Sequence, residues 1–545
     1  MSEPGLPAAD ARDAYARNAA VMTVGTTLSR FSGFIRIATQ TAALGVTANA
    51  LADTYNTANT TPNIIYELAL GGILTSVFVP LFVEWMQRNG REDSWEVADR
   101  VLTLAAVGLS AIALLGAIAA PWIIRLYNSA VSASDRQQQI ELGTFFLRWF
   151  MPQIVFYGIG AVAGGLLNAN RRFAAPMFAP ILNNLVVIAT FGLYTWMLHG
   201  GHPSVEGITG AQRATLAIGT TLGVVAMTVA LWPSLRRMGY RWHLRFDWGH
   251  PALRRLARLA GWVFVYVVAN QAAYFVIIIL SRHVRQGGIT AYAAAFIVFS
   301  LPHAIFVVSI FTALLPGMSS QWADRAPEGV RRLFSRGVRD TAVIILPAAA
   351  GLIALALPLS RLIFQHVHAG AADALLIAHT LAAFAVGLPF FSTFQLLTRT
   401  FYAMQDTRTP ALVNVAAACV NVGADLLFAL GLGWGIPGLA LGYAVSYAFA
   451  TAILLVILRA RLGGLDGRRV GRTLLKALGT AVVAGGVSFA STRLFAGSPS
   501  GTWTELAEVA VGVSVGVLAF VIVALIVRIE EVDDIRSAML RRFHP

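Results

Sequence analysis

Two arginines stand inside the first long apolar stretch of this chain, and nothing else constrains its fold as tightly. The stretch reads VMTVGTTLSRFSGFIRIATQTAAL (Val21–Leu44), with Arg30 and Arg36 inside it. About fourteen stretches of this kind fill the sequence, each near the ~20 residues that cross ~30 Å of hydrocarbon. Of the 545 residues 57% are hydrophobic and 12% charged, and mean hydropathy is +0.67, which excludes an ordinary soluble domain. Backbone in lipid must satisfy its own hydrogen bonds, and stretches this long do so as helices rather than barrel strands. The expected fold is therefore an all-α polytopic membrane protein. An arginine at the centre of a spanning helix costs about 2.5–3.5 kcal/mol on insertion scales, so one retained there is expected to face a cavity and handle anions.

Expected spans are 20–44, 50–86 (one interrupted stretch), 97–124, 140–168, 175–198, 213–235, 256–281, 290–318, 338–365, 375–403, 410–431, 436–459, 473–494 and 504–528. The opening MSEPGLPAADARDAYARNAA lacks a short apolar core followed by a small-residue cleavage site. The first span is thus expected to act as the insertion signal. Net charge is +14, but the basic residues sit in short loops between spans, which argues against nucleic acid as a partner. Counted in alternate loops, one side holds 31 Arg and Lys and the other seven, with Arg30, Arg36 and Arg148 inside spans. That asymmetry places both termini in the cytoplasm of a protein of the cytoplasmic membrane. The lone Cys419 cannot form an intramolecular disulfide and reads as a small packing residue.

The sequence also repeats itself. Ala169 and Pro176 in LLNANRRFAAPMFAPILNN match Ala403 and Pro410 in FYAMQDTRTPALVN, with the prolines 234 residues apart. Pro80 and Pro316 are 236 apart, and Pro62 and Pro302 are 240 apart. Spans 1–6 then recur as spans 7–12, and six helices restore the starting side, so the repeats are parallel. Chance recurrence of prolines at helix ends is the competing explanation. The expected organisation is a cytoplasmic segment 1–19, a lobe 20–240, a second lobe 241–460, two extra helices in 461–530 and a cytoplasmic tail 531–545. Two bundles about a central cavity suit alternating access.

Arg30 and Arg36 lie about 120° apart around a helix, so both can border one broad cavity at different depths. A guanidinium stays charged there, and its donor fork matches phosphate oxygens. The alternative is that they snorkel or pair with acids. Asp53 opens the second span, followed by Thr54, Asn56, Thr57, Asn59, Thr60, Thr61 and Asn63, with Glu67 beyond Pro62. So polar a run is expected to line water, with a bend at the proline. Asp53 pairs with a first-span arginine, gates access, or starts a helix at the membrane surface. Asn421 and Asp425 are four apart, on one helical face, and suit either a sodium ion or proton, or a plain interhelical hydrogen bond. Asn270 and Gln271 are candidate partners for that pair, while Arg148 and His303 are weaker candidates. There is no P-loop, no Cys/His metal spacing and no nucleophile elbow, so an enzyme is not expected.

Four segments resemble the MurJ (MviN) family of lipid II flippases, in the multidrug/oligosaccharidyl-lipid/polysaccharide exporter superfamily. They are SRFSGFIR (Ser29–Arg36) with Asp53 downstream, PNIIYELALGGILTSVFVP (Pro62–Pro80), LLNANRRFAAPMFAPILNN, and RTFYAMQDTRTP (Arg399–Pro410). The variant PNIIYELALGG is similar to the actinobacterial branch. The resemblance implies two lobes around a cationic cavity, a groove for the polyprenyl tail on spans 13 and 14, and flipping of lipid II between leaflets. It implies functional roles for Arg30, Arg36 and Asp53, with Ser29, Asn63 and Glu67 in the same matching segments, and a sodium site at Asn421 and Asp425. Where many members carry arginines, this chain has Tyr66, Glu67 and the apolar AAAFIVFSL (Ala293–Leu301), and Gly71 stands where many have Glu. Expected partners are lipid II, the bilayer and cell-wall synthesis proteins. No cofactor is expected beyond a coupling cation (Na⁺ or H⁺) or the membrane potential. Rival functions are flipping of another polyprenyl-linked saccharide, cation-coupled drug export, and a non-transporting scaffold for cell-wall enzymes.

Overall fold

Apolar runs become helices throughout a computed structural model that describes residues 8–46, 50–66, 79–129, 133–170, 172–247, 249, 251–365, 370–495 and 501–532. Among the described residues there is no strand. Two compact units divide the chain, Met1–Gly45 with Asn49–Gln271, and Val46–Ala48 with Ala272–Pro545.

The first unit holds α1 (Ala8–Leu44), α2 (Leu51–Tyr66), α3 (Val79–Tyr127), α4 (Ala133–Phe150), α5 (Gln153–Ala169), α6 (Ala174–Met197), α7 (Gly210–Val229), the short α8 (Trp232–Arg237) and the start of α9 (Pro251–Val284). The second holds the end of α9, then α10 (Gly288–Pro302), α11 (Val308–Ala323), α12 (Pro327–Ala354), α13 (Ala356–Phe364), α14 (Ala371–Ala403), α15 (Arg408–Asp425), α16 (Gly435–Leu462), α17 (Gly467–Thr492) and α18 (Thr502–Ile526).

Among the described residues twelve helical stretches are long and apolar enough to cross a membrane, and they match the third to fourteenth expected spans. The first expected span falls on α1, and the second, 50–86, falls on α2 and the start of α3, with its residues 67–78 outside the described residues. Pro176 and Pro410, the paired prolines of the repeat, both sit in the first turn of their helices, where a missing N–H costs no intrahelical bond.

Two boundaries differ most from expectation: the ninth expected span, 338–365, falls on Pro327–Ala354 and the separate α13, and the other lies in α3. The polar stretch around Arg88–Arg100 reads as a loop between two spans, yet α3 runs unbroken for 49 residues, about 74 Å at 1.5 Å per residue. Within it Arg100 reaches back one turn to Glu96 at 3.3 Å, an i,i+4 pair that favours helix. The excess over hydrocarbon thickness carries this polar part of the helix beyond the apolar stretch that follows Arg100.

In the second unit α10 and α15 each pass into a π-helical turn, His303–Val307 and Leu426–Gly431. The apolar Ala293–Leu301 segment packs Phe296 and Phe299 against Phe384 and Tyr443, with ring centroids 5.2–6.0 Å apart. Cys419 is exposed on α15 rather than packed.

Candidate functional site

The rotation of α1 is fixed by α6. Asn184 donates from Nδ2 to the Ser29 carbonyl at 3.3 Å and to Ser32 Oγ at 2.9 Å, and Ser32 Oγ donates to the same carbonyl at 3.0 Å. One turn earlier, a Cβ on Gly25 would fall 2.8 Å from Met177 Cβ, so only glycine admits this approach. Ser29 thus acts through its backbone, in positioning the helix.

The rotation of α2 is fixed by Tyr55. Its ring is wholly buried, edge-on to Phe146, Phe150 and Phe191 at 5.5–5.7 Å, and its hydroxyl shares a 2.7 Å hydrogen bond with Thr220 of α7. With Tyr55 turned inward, Asp53, Thr54, Thr57 and Thr61 are buried as well. Thr61 donates to the Thr57 carbonyl at 2.9 Å, and its hydroxyl oxygen lies 3.4 Å from that of Tyr127. Asp53 is 2% exposed in the first turn of α2, where the helix N-terminus favours a carboxylate.

The remaining polar residues of α2, Asn56, Asn59, Thr60 and Asn63, are all partly accessible. Their i, i+3, i+4, i+7 spacing makes them one stripe along the helix. Gln40 of α1 donates to Asn56 Oδ1 at 2.5 Å, and Asn63 Nδ2 donates to the Asn59 carbonyl at 3.3 Å, beside Pro62. The polar run expected to line water therefore divides in two, half packed inside the unit and half forming an accessible amide-rich stripe. Glu67 lies outside the described residues.

Arg36 is half-buried, with Nε shielded from solvent and no hydrogen-bond partner, and its guanidinium lies within electrostatic reach of the Tyr55 and Tyr157 phenols. Arg30 is exposed, with Phe31 and Leu28 exposed beside it. Neither arginine forms an ion pair among the described residues. A guanidinium with unmet donors beside an amide stripe can take an anion whose polar remainder extends along the stripe. The tyrosines carry no sequence signal, since a tyrosine in an apolar run reads as core. The stripe was open to a finer reading, because Asn56, Asn59, Thr60 and Asn63 keep helical spacing.

In the second unit Asn421 donates from Nδ2 to Asp425 Oδ1 at 3.0 Å, and Asp425 is 0% exposed. Asp425 Oδ2 is buried without a hydrogen-bond partner. The carboxylate lies against the Cα of Gly442 on α16, where a Cβ would overlap Oδ1. The π-helical turn begins at the next residue, and such turns recur at functional sites. His303 is satisfied, its Nδ1 3.1 Å from Ser392 Oγ and its ring 4.7 Å from Phe391. Arg148 is exposed near the end of α4, and Asn270 and Gln271 are partly accessible on α9.

These features define a polytopic helical membrane protein. The fold is similar to that of a solved "multidrug resistance MATE family transporter of the MOP superfamily", with TM-score 0.65 and 15% identity, over 81% of this chain and 95% of that one. A nearer likeness is to "Lipid II flippase MurJ, inward closed conformation", with TM-score 0.72 and 20% identity, over 93% of this chain and 98% of that one. The chain belongs to the family described as "Lipid II flippase MurJ", whose model matches residues 41–500. Among curated relatives, the probable lipid II flippase MurJ of Rhizobium tropici is 26% identical over 530 residues, 95% of each chain. The lipid II flippase MurJ of Burkholderia cenocepacia is 26% identical over 449 residues, 81% of this chain and 84% of that one. Arg30 and Arg36 lie ahead of the matched segment.

Proposed function

We propose that this chain moves lipid II from the inner to the outer leaflet of the cytoplasmic membrane by alternating access, as a transporter and not an enzyme, with both termini in the cytoplasm. In this reading Arg36 holds the pyrophosphate and Arg30, exposed lower on the same helix, receives it from the inner leaflet. The Asn56, Asn59, Thr60 and Asn63 stripe offers amides and a hydroxyl to the sugar and peptide, and the polyprenyl tail stays in lipid. The observation that carries the reading is Arg36 itself, a half-buried cation with an unsatisfied Nε and no acid paired to it among the described residues. A diphosphate supplies the charge and the acceptors that this group lacks. Family membership specifies the lipid-linked class of anion.

Asn421 and Asp425 form the proposed coupling site. A proton on Oδ2 suits the geometry as it stands. A sodium ion needs several further oxygen ligands, and Gly442 already fills the space beside Oδ1. Movement of the charged headgroup also responds to membrane potential, by about 2.3 kcal/mol per charge per 100 mV.

The test is depletion of the native protein in its own cells and rescue by Arg30→Ala, Arg36→Ala and Asn59→Ala/Asn63→Ala variants, with lipid II measured on the outer leaflet. Loss of outward lipid II with the arginine variants supports the reading. Normal outward lipid II with both arginines removed would leave a non-transporting scaffold as the better account.

A further inference from the structure

The amide stripe of α2 ends at Tyr66, whose ring packs against Tyr157 of α5 with centroids 5.5 Å apart and planes at 37°. Tyr157 is one of the two phenols within electrostatic reach of Arg36, and the two differ in what is left for a ligand. Tyr55 is wholly buried and its hydroxyl is already bonded to Thr220. Tyr157 is partly accessible, and its hydroxyl has no hydrogen-bond partner among the described residues. An O–H held in a protein wall without a partner forfeits a hydrogen bond that water or a ligand can restore.

We propose that Tyr157 is a second substrate-contacting residue, whose hydroxyl donates to a phosphate oxygen of the same pyrophosphate that Arg36 holds, while the ring of Tyr66 keeps the phenol aimed at that point. The inference rests on the pyrophosphate reading of Arg36. It places the diphosphate in the first unit beside α2, which packs against both α1 and α5. Tyr66 is then a positioning residue. It acts by restricting the Tyr157 ring, an effect that any flat ring at position 66 supplies.

The experiment uses the full chain in proteoliposomes, with lipid II, undecaprenyl pyrophosphate and undecaprenol as probes, and reads binding and flipping beside the melting temperature. Tyr157→Phe keeps the ring and removes the donor. Affinity for lipid II and for undecaprenyl pyrophosphate is expected to fall about tenfold, as for one hydrogen bond to a charged acceptor. Undecaprenol binding and melting temperature stay as in the parent. Tyr66→Phe is expected to change nothing, and Tyr66→Ala to reproduce part of the Tyr157→Phe loss. In the Arg36→Gln background, Tyr157→Phe is expected to cost less than it does alone, because both groups serve one anion. Unchanged pyrophosphate affinity in Tyr157→Phe, with Arg36→Gln still defective, overturns the inference alone. Unchanged affinity in both variants overturns the pyrophosphate reading of Arg36 with it. A lowered melting temperature with unchanged affinity assigns Tyr157 to packing and likewise rejects the inference.

Discussion

Asn421 hydrogen-bonds one oxygen of Asp425 at 3.0 Å and leaves the other buried with no partner. An ionised carboxylate in such surroundings is costly unless a cation joins it, so its charge state and the conformation of α15 are tied together. Asp425→Asn keeps the shape and removes the titratable group. Flipping in proteoliposomes is expected to slow at least tenfold and to lose its response to imposed pH or sodium gradients, with melting temperature nearly unchanged. A variant that flips normally and still follows the gradient would remove Asp425 from the coupling step.

Gly442 is the wall of that site. A methyl group there collides with Asp425 Oδ1, whereas a methyl group on Gly423, on the same helix as Asp425, would meet no atom within 4 Å. Gly442→Ala is expected to destabilise the protein by about 1–3 kcal/mol, as overpacking does. Gly423→Ala should be neutral or slightly stabilising, since alanine is the better helix former. Thermal unfolding of both variants in detergent checks the contrast.

Asp406, in the connection before α15, accepts from the Thr409 backbone N–H at 2.9 Å and the Thr409 hydroxyl at 2.6 Å, and pairs with Arg461 at 2.6 Å. Partial burial pushes its carboxyl up, but the bonds from Thr409 and Arg461 outweigh this and hold it below the ordinary aspartate value of 3.8. A depressed acid contributes stability that is fully present above its unfolded value and lost as pH falls through its folded value. Asp406→Ala is therefore expected to cost about 1 kcal/mol at neutral pH, the scale of a lost helix cap. The gap to the parent should close below pH ~4, as melting curves across pH would record.

Arg339 of α12 forms a buried ion pair with Glu531, beyond the end of α18, and lies 3.7 Å from Glu530. Lys476 of α17 caps the same end, donating to the Val527 and Arg528 carbonyls at 2.9 Å each. Removing Glu531 leaves Arg339 with only the more exposed Glu530 at 3.7 Å, so Glu531→Gln is expected to cost about 1.5–3 kcal/mol, as for one hydrogen bond to a charged group. Arg339→Met with Glu531→Met should recover most of that loss. A double-mutant cycle on unfolding midpoints gives the coupling directly.

Much of the fold was legible in the sequence for one physical reason. A lipid-crossing helix must be long, apolar and internally bonded, so twelve spans announced themselves by length and composition. The α3 boundary was not legible, because a run such as Arg88–Arg100 reads as loop by polarity while its i,i+4 charges support a helix that leaves the bilayer. Arg36 was visible because charge in an apolar run is conspicuous. Tyr157 was not, because nothing local separates a tyrosine that fills a core from one whose hydroxyl waits for a ligand. Asp53 and Asn63 were visible as polar residues, but which of them turned inward depended on Tyr55 finding Phe146, Phe150 and Phe191 from other helices.

The most direct measurement is the rate at which purified protein in proteoliposomes carries lipid II across the bilayer, compared between the parent, Arg36→Lys and Arg36→Ala. A pyrophosphate held by a guanidinium predicts a loss of at least tenfold in Arg36→Ala and partial recovery in Arg36→Lys, which restores the charge but not the fork. Parental flipping by Arg36→Ala, at equal reconstitution and melting temperature, would contradict the account.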